Sequence, residues 1–443
     1  MNSKSFAWVF VASLSLVDCE SASEVTIPAF PDGGLVRTGT PVARDRLMRF
    51  EGMFGVGNGQ RIFGETVAVR TSPGTVSVLT DKNAGFAVLE SACLPDGRVV
   101  VEGYWQYPTR TEAGLVRVFV EDAALVTYLC GTEEAPPTLP ALTLKGHYGE
   151  GNEFPRNPLD FTFSRELKPW RGRFFTVAHH GACENTDHCG TAPNSLESIR
   201  LAERIGSNAA ELDVRITRDN IPVLFHDPGL SRTLVRGVFC NGQLAELSLA
   251  ELTAACELRY GELIPTVEET LDMMVNETEM EGVYLDMKVA GAVLPTARLA
   301  SRLMTSLRER NENDDPTDDR QFGALIAITT DEVLEAWHDA KKKLAEEGLE
   351  IPRCLLEYDP DLVISEGCVA WGPTWTAGPQ VENVKKVRAA GAGTIYWTIN
   401  QSDFIDAFLT QAHPDGIITA RAALVFHHYQ TLGTPPPIRG TAE

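Results

Sequence analysis

The segment AAELDVRITRDNIPVLFHD, residues 209–227, carries both architecture and chemistry. Side chains of an extended strand alternate between its two faces. Glu211 and Asp213 therefore share one face, and Leu212 and Val214 share the other. In a closed parallel barrel one face looks inward and the other meets surrounding helices, and the apolar pair suits the helices. Both carboxylates then point into the barrel. Two such groups away from water need a compensating cation or must take up protons. Oxygen donors of this kind suit Mg2+ or Ca2+. After a turn at Asp219-Asn220, the apolar run IPVLF ends in His226-Asp227. A histidine near a metal is placed for general acid–base work.

From Arg173 onwards the chain alternates strand and helix. RFFTVA, AAELDVRIT, GVYLDMKV, GALIAIT, CLLEYD, CVAWGPTW, TIYWTIN and DGIITA read as strands. Amphipathic stretches such as SLESIRLAERIG and DEVLEAWHDAKKKLAEEG lie between most of them. Asn194-Ser195 precedes the first helix as a cap, and Gly206 ends it. Eight such units in about 250 residues favour an α/β fold, a (β/α)8 TIM barrel, assigned to residues 169–430. Its thinnest part is 354–375, where two strands have little helix between them. Residues 24–168 differ. ETVAVRT, TVSVLTD, FAVLESA, RVVVEGYWQY, LVRVFVEDAALVTYL, ALTLKGHYG and LDFTFSREL are short alternating runs split by turn residues. They predict an N-terminal antiparallel β-domain, a sandwich or small barrel. Tyr104, Trp105 and Tyr107 fit core packing better than a binding surface. Residues 431–443, TLGTPPPIRGTAE, read as a disordered tail.

A formal net charge of -22 repels nucleic acid and anionic lipid over most of the surface, so no nucleic-acid partner is expected. Any phosphate site must be a local island of positive charge. Lys4 precedes an apolar run, Phe6 to Val17, and Ser21-Ala22-Ser23 offers a cleavage site. Residues 1–23 therefore read as a signal peptide and the protein as exported, to the periplasm, cell envelope or outside. Cys19 offers lipid anchoring as the alternative, but Asp18 stands where a lipobox has a small residue. The other eight cysteines suggest disulfides, and sequence neighbours pair as 93–130, 183–189, 240–256 and 354–368. A cysteine metal site lacks the paired C-x-x-C spacing.

Two more strands complete the candidate site. The first runs into His179-His180-Gly181, and in simple extended geometry at most one of the two histidines faces the mouth. The third, GVYLDMKV, puts Asp286 and Lys288 on one face. Asp286 completes a three-carboxylate site for one divalent metal. Lys288 either grips a phosphate oxygen or pairs with the carboxylates. The set fits metal-assisted phosphoryl transfer.

The ordered runs AHHGA, PNSLESI, ELDVRITRDN, VLFHDPGLSRT and LIPTVEETL, followed by LDMK, WTIN and DGIIT, resemble the glycerophosphodiester phosphodiesterase family. The resemblance implies metal-dependent hydrolysis of glycerophosphodiesters, small or lipid-derived, to glycerol 3-phosphate and an alcohol. It implies that Glu211, Asp213 and Asp286 bind the metal and that His179 and His226 act as general base and acid. Lys288 and His180 fall at the phosphate, and Asn194, Trp397 and Asn400 shape the pocket. Three departures stand out. His180 replaces the family's arginine, Asp286 stands where many members have glutamate, and GACENTDHCGTAPN is a longer first loop that would wall the pocket. One alternative is a phospholipase D or sphingomyelinase D-like enzyme forming a cyclic phosphate, which LDMK also fits; IPTVEE and WTIN favour the first family. The other is a non-catalytic binding protein with the β-domain as its working part. The presence of both histidines, three carboxylates and Lys288 speaks against it. In any of these readings the β-domain is the expected place for peripheral membrane or cell-envelope contact.

Overall fold

The computed structural model describes residues 26–131, 142–313 and 322–432. The expected signal segment and most of GTEEAPPTLP lie outside the described residues, as does the tail beyond Leu432. Thr431, at the expected start of that tail, is the last residue of a helix, Ala422–Thr431.

Eight parallel strands form the C-terminal barrel: Phe175–Ala178, Ala209–Ile216, Gly282–Met287, Gly323–Ile328, Arg353–Leu356, Ala370–Trp371, Gly393–Tyr396 and Gly416–Thr419. The first pairs with the last, which closes the ring. Each strand coincides with a run expected from the sequence, those at Arg353 and Gly393 starting one residue earlier. The interior is a plug of one apolar side chain per strand: Val177, Ala209, Tyr284, Ala327, Leu355, Ala370, Ile395 and Ile418. The alternate residues Leu212, Val214, Leu285, Met287, Ile326 and Leu356 pack against the helices. Inward positions beyond the plug emerge at the C-terminal mouth, where barrels of this kind place their chemistry. The thin region has a two-residue strand, Ala370–Trp371, after a short helix, Pro360–Glu366. An insertion follows the second strand. Pro222–Leu224 pairs antiparallel with it. Leu230, Val235, Leu244, Leu252 and Leu258 then form a small separate core beside the Cys240–Cys256 disulfide.

Ahead of this barrel, eight strands from Gly52–Val56 to Asn157–Arg165 each pair antiparallel with the next, and the last pairs with the first. This is a closed up-and-down barrel, so the sandwich alternative falls. Strand alternation explains its core. Val67, Val69, Val76, Val78, Ala87 and Leu89 fill the inside. Their neighbours Ala68, Phe86 and Val88 point outward and share a second core with Trp170, Phe174, Ile199 and Phe426 of the parallel barrel. Trp105 and Tyr107 are buried inside, and Tyr104 packs against the shared core. The run LVRVFVEDAALVTYL is not one strand. Strand Ala113–Val120 gives way to helix Ala123–Leu129, because the Asp122 carboxylate accepts from the Leu125 N–H and caps it. The four disulfides pair as the sequence neighbours suggest. Among the described residues, no helix is long and apolar enough to cross a membrane.

Candidate active site

The parallel register sets Asp213 directly beside Asp286 on the neighbouring strand. Glu211, Asp213 and Asp286 each bring an oxygen within 4.8 Å of the others. All three side chains are buried, Asp213 completely. Like charges so placed repel. Burial, with Asp213 and Asp286 alongside, holds the Glu211 carboxyl well above the usual glutamate range. Burial also raises Asp286, against the pull of Lys288. Burial would raise Asp213 too, but His180 and Lys288 outweigh it and hold that carboxyl low. Lys288 donates to Asp286 and lies 2.8 Å from Asp213 Oδ1. Lys288 is thus paired with two carboxylates here. A fourth acid, Glu357, follows the fifth strand, and burial, then Asp286 and Glu211, push it up to about 9. The donor set is hard oxygen, and Asp286 Oδ1 is buried without a hydrogen-bond partner. These residues fit a divalent cation.

The paired histidines depart from the extended geometry expected of them. His179-His180-Gly181 is a tight turn in which His180 has φ 52°. That left-handed residue folds the second ring back onto the first, with ring centroids 3.6 Å apart. Both rings therefore reach the carboxylate cluster. The His180 N–H donates to Glu211 Oε2 at 3.0 Å, and its Nε2 lies 3.3 Å from Asp213 Oδ2. Burial pushes the His180 imidazole down to about 4, so it is neutral at neutral pH. His179 Nδ1 lies 3.1 Å from Glu184 Oε1, and its Nε2 lies 4.0 Å from Glu211. The half-exposed His226 has its ring 5.2 Å from that of His180 and its Nδ1 2.6 Å from Asp227 Oδ1. His179 and His226 thus each have Nδ1 beside a carboxylate.

Asn194, with φ 61°, clamps Asp213 from both sides. Its amide donates to Asp213 Oδ2 at 2.6 Å, and its oxygen accepts from the Asp213 N–H at 3.1 Å. The Trp397 indole donates to the Gly372 carbonyl at 2.6 Å and packs on the barrel plug. Asn400 Oδ1 accepts from the Thr419 hydroxyl and the Ala420 N–H at 3.0 and 2.8 Å, tying the seventh strand's end to the eighth. The sequence reading missed Glu357, Arg215 and Glu184. The first two had a signal. Glu357 is two residues from inward-facing Leu355, and Arg215 two from inward-facing Asp213. Arg215 Nε donates to the His226 carbonyl at 2.7 Å. Among the described residues it makes no ion pair. Glu184 lies in a loop, where periodicity gives no signal.

A model of the glycerophosphoryl diester phosphodiesterase family matches residues 179–424. The antiparallel barrel lies outside that match. A protein of Mycobacterium tuberculosis named "Probable glycerophosphodiester phosphodiesterase 2" is 30% identical over 253 residues, 52% of this chain and 83% of its own length. Human glycerophosphodiester phosphodiesterase 1 is 32% identical over 126 residues, 28% of this chain and 36% of that protein. Among solved structures, a phosphodiesterase of Oleispira antarctica in complex with the product sn-glycerol-3-phosphate is 22% identical. That match covers 57% of this chain and 96% of the other, with a TM-score of 0.44.

Proposed function

Because the chain belongs to the glycerophosphoryl diester phosphodiesterase family, we propose that it cleaves glycerophosphodiesters to glycerol 3-phosphate and an alcohol, with a bound divalent metal and two histidines. One observation supports this above the rest: three carboxylate oxygens within 4.8 Å at a barrel mouth, flanked by imidazoles. Glu211, Asp213 and Asp286 would hold the cation, Mg2+ or Ca2+. When bound, it supplies positive charge that draws in the phosphate oxygens and offsets the charge developing on them.

The chain's own groups do the rest. The carboxylates beside the two Nδ1 atoms leave Nε2 of His179 and of His226 for proton transfer. His179 Nε2 takes a proton from the attacking water as its oxygen bonds to phosphorus. His226 Nε2 gives a proton to the alcohol oxygen as the old P–O bond breaks. Neutral His180 brings no charge to the phosphate. It orients Glu211 through its N–H and underlies His179 by stacking. Positive charge for the substrate then falls to the cation and to Arg215, since Lys288 is engaged with two aspartates. Asn194, Trp397 and Asn400 shape the walls. The four disulfides support an exported protein working in an oxidising compartment.

The test is phosphorus NMR of glycerophosphocholine incubated with the full chain, in Mg2+, in Ca2+ and in EDTA. Glycerol 3-phosphate should appear with metal, vanish in EDTA and return when metal is restored. Turnover undiminished by EDTA would remove the metal. A cyclic phosphate as the final product would transfer the enzyme to the cyclising chemistry.

A further inference from the structure

Residues 183–189, CENTDHC, form a loop of which the reaction above uses only the Glu184 carboxylate. The loop is held from several directions. The Cys183–Cys189 disulfide closes it. Buried Asp187 accepts from both terminal nitrogens of Arg421, at 2.6 and 2.9 Å, just past the eighth strand. The Glu184 N–H donates to Asp187 Oδ2 at 2.7 Å. Arg259 of the inserted lobe donates to the Asn185 carbonyl at 2.5 Å. The His188 N–H donates to the Pro108 carbonyl of the antiparallel barrel at 2.8 Å. Parallel barrel, lobe and antiparallel barrel therefore all grip the same seven residues.

The loop presents the Glu184 carboxylate to His179 Nδ1. A carboxylate only accepts, so the proton of a neutral ring lies on Nδ1 and the lone pair on Nε2, the nitrogen towards Glu211. We propose that Glu184 is the positioning residue of His179, fixing its tautomer and ring plane, and that the Cys183–Cys189 loop is the frame that makes this contact effective. The proposal rests on His179 as the base. A partly exposed histidine–carboxylate pair on a free loop contributes little. Holding the carboxylate in place beforehand removes the ordering cost that keeps such pairs weak.

The experiment is a double-mutant cycle in the full chain: Glu184→Gln, Cys183→Ser with Cys189→Ser, and all three together. Glutamine keeps the size of the side chain but can offer an N–H to Nδ1, favouring the wrong tautomer. Each arm should lower kcat about ten- to hundredfold with little change in KM, and the combination should fall no further than the worse arm. A second readout needs no turnover: the rate at which diethyl pyrocarbonate labels His179, mapped by peptide mass spectrometry, should change in both arms. Unchanged kcat in Glu184→Gln, an effect confined to KM, or additive losses would overturn the proposal and leave the loop a passive wall. If the wild type hydrolyses no phosphodiester while His179 labelling still depends on Glu184, the hydrolase reading fails and the positioning role stands.

Discussion

Replacing Glu357 by glutamine should stabilise the metal-free protein, although it removes an acidic residue from the candidate active site. In the folded chain this carboxyl is pushed up to about 9, first by burial and then by Asp286 and Glu211, against an ordinary 4.5. The unfolded chain can therefore ionise Glu357 from pH 4.5 upwards, while the folded chain resists until about pH 9. The group binds more protons folded than unfolded across that window, so its penalty grows as pH rises and levels off above 9. At pH 7 the gap is about 2.5 pH units, and at ~1.36 kcal/mol per unit the penalty is about 3 kcal/mol. Screening at the open mouth trims it to about 2 kcal/mol. Glutamine has the same shape and no proton to lose. In urea unfolding with EDTA at pH 7, Glu357→Gln should gain about that much, and at pH 5 the gain should shrink below about 1 kcal/mol. Saturating Mg2+ or Ca2+ should shrink it at pH 7 as well, because a cation relieves the repulsion. Equal stabilities at pH 7 in EDTA, or a gain that grows towards pH 5, would refute the idea of a surplus of acid at this mouth.

His179→Ala and His226→Ala should each lower kcat about 10²- to 10⁴-fold while the far-ultraviolet circular dichroism stays that of the wild type; near-normal turnover in either would take that residue out of the chemistry. Arg215→Gln should raise KM for a glycerophosphodiester about tenfold or more and weaken competitive inhibition by glycerol 3-phosphate, with kcat changed less. An unaltered inhibition constant would show that its guanidinium serves only the His226 carbonyl. Asn194→Ala should weaken calorimetric Mg2+ or Ca2+ binding about tenfold or more by releasing Asp213, and unchanged metal affinity would reduce that clamp to a packing contact.

The legible part of this molecule is the part governed by period two. Leu212 and Val214 beside Glu211 and Asp213 gave away the strand's orientation. The same rule applied to CLLEYD and to the end of ELDVRI would have produced Glu357 and Arg215. The rule failed at His180, because a single left-handed residue turns an alternating pair into a stacked one, and no periodicity encodes that. It failed at DAALVTYL, where alternating apolar residues suit strand and short helix alike and the Asp122 cap decides. Glu184 was beyond reach for another reason. Its position depends on Arg421, Arg259 and Pro108, contacts from three distant parts of the chain.

Charge ties these observations together. A chain with a net charge of -22 must attract a phosphodiester anion. At the mouth it sets Glu211, Asp213, Asp286 and Glu357 against an ammonium already shared between two of them. The position after His179 is filled by a second histidine, which burial keeps neutral. On protein charges alone, with Glu211 and Glu357 held protonated and Asp213 matched by Lys288, such a mouth offers an anion little attraction beyond Arg215 at the rim. A divalent cation held by Glu211, Asp213 and Asp286 would lower the repulsion among the acids, let Glu211 and Asp286 ionise, and turn the mouth attractive, all through the same contacts. Metal binding and substrate binding should therefore be coupled more steeply here than in a site with a permanent arginine. Each should tighten the other by the same factor, as linkage requires. Metal affinity that is indifferent to glycerol 3-phosphate would mean that the substrate's charge is met elsewhere.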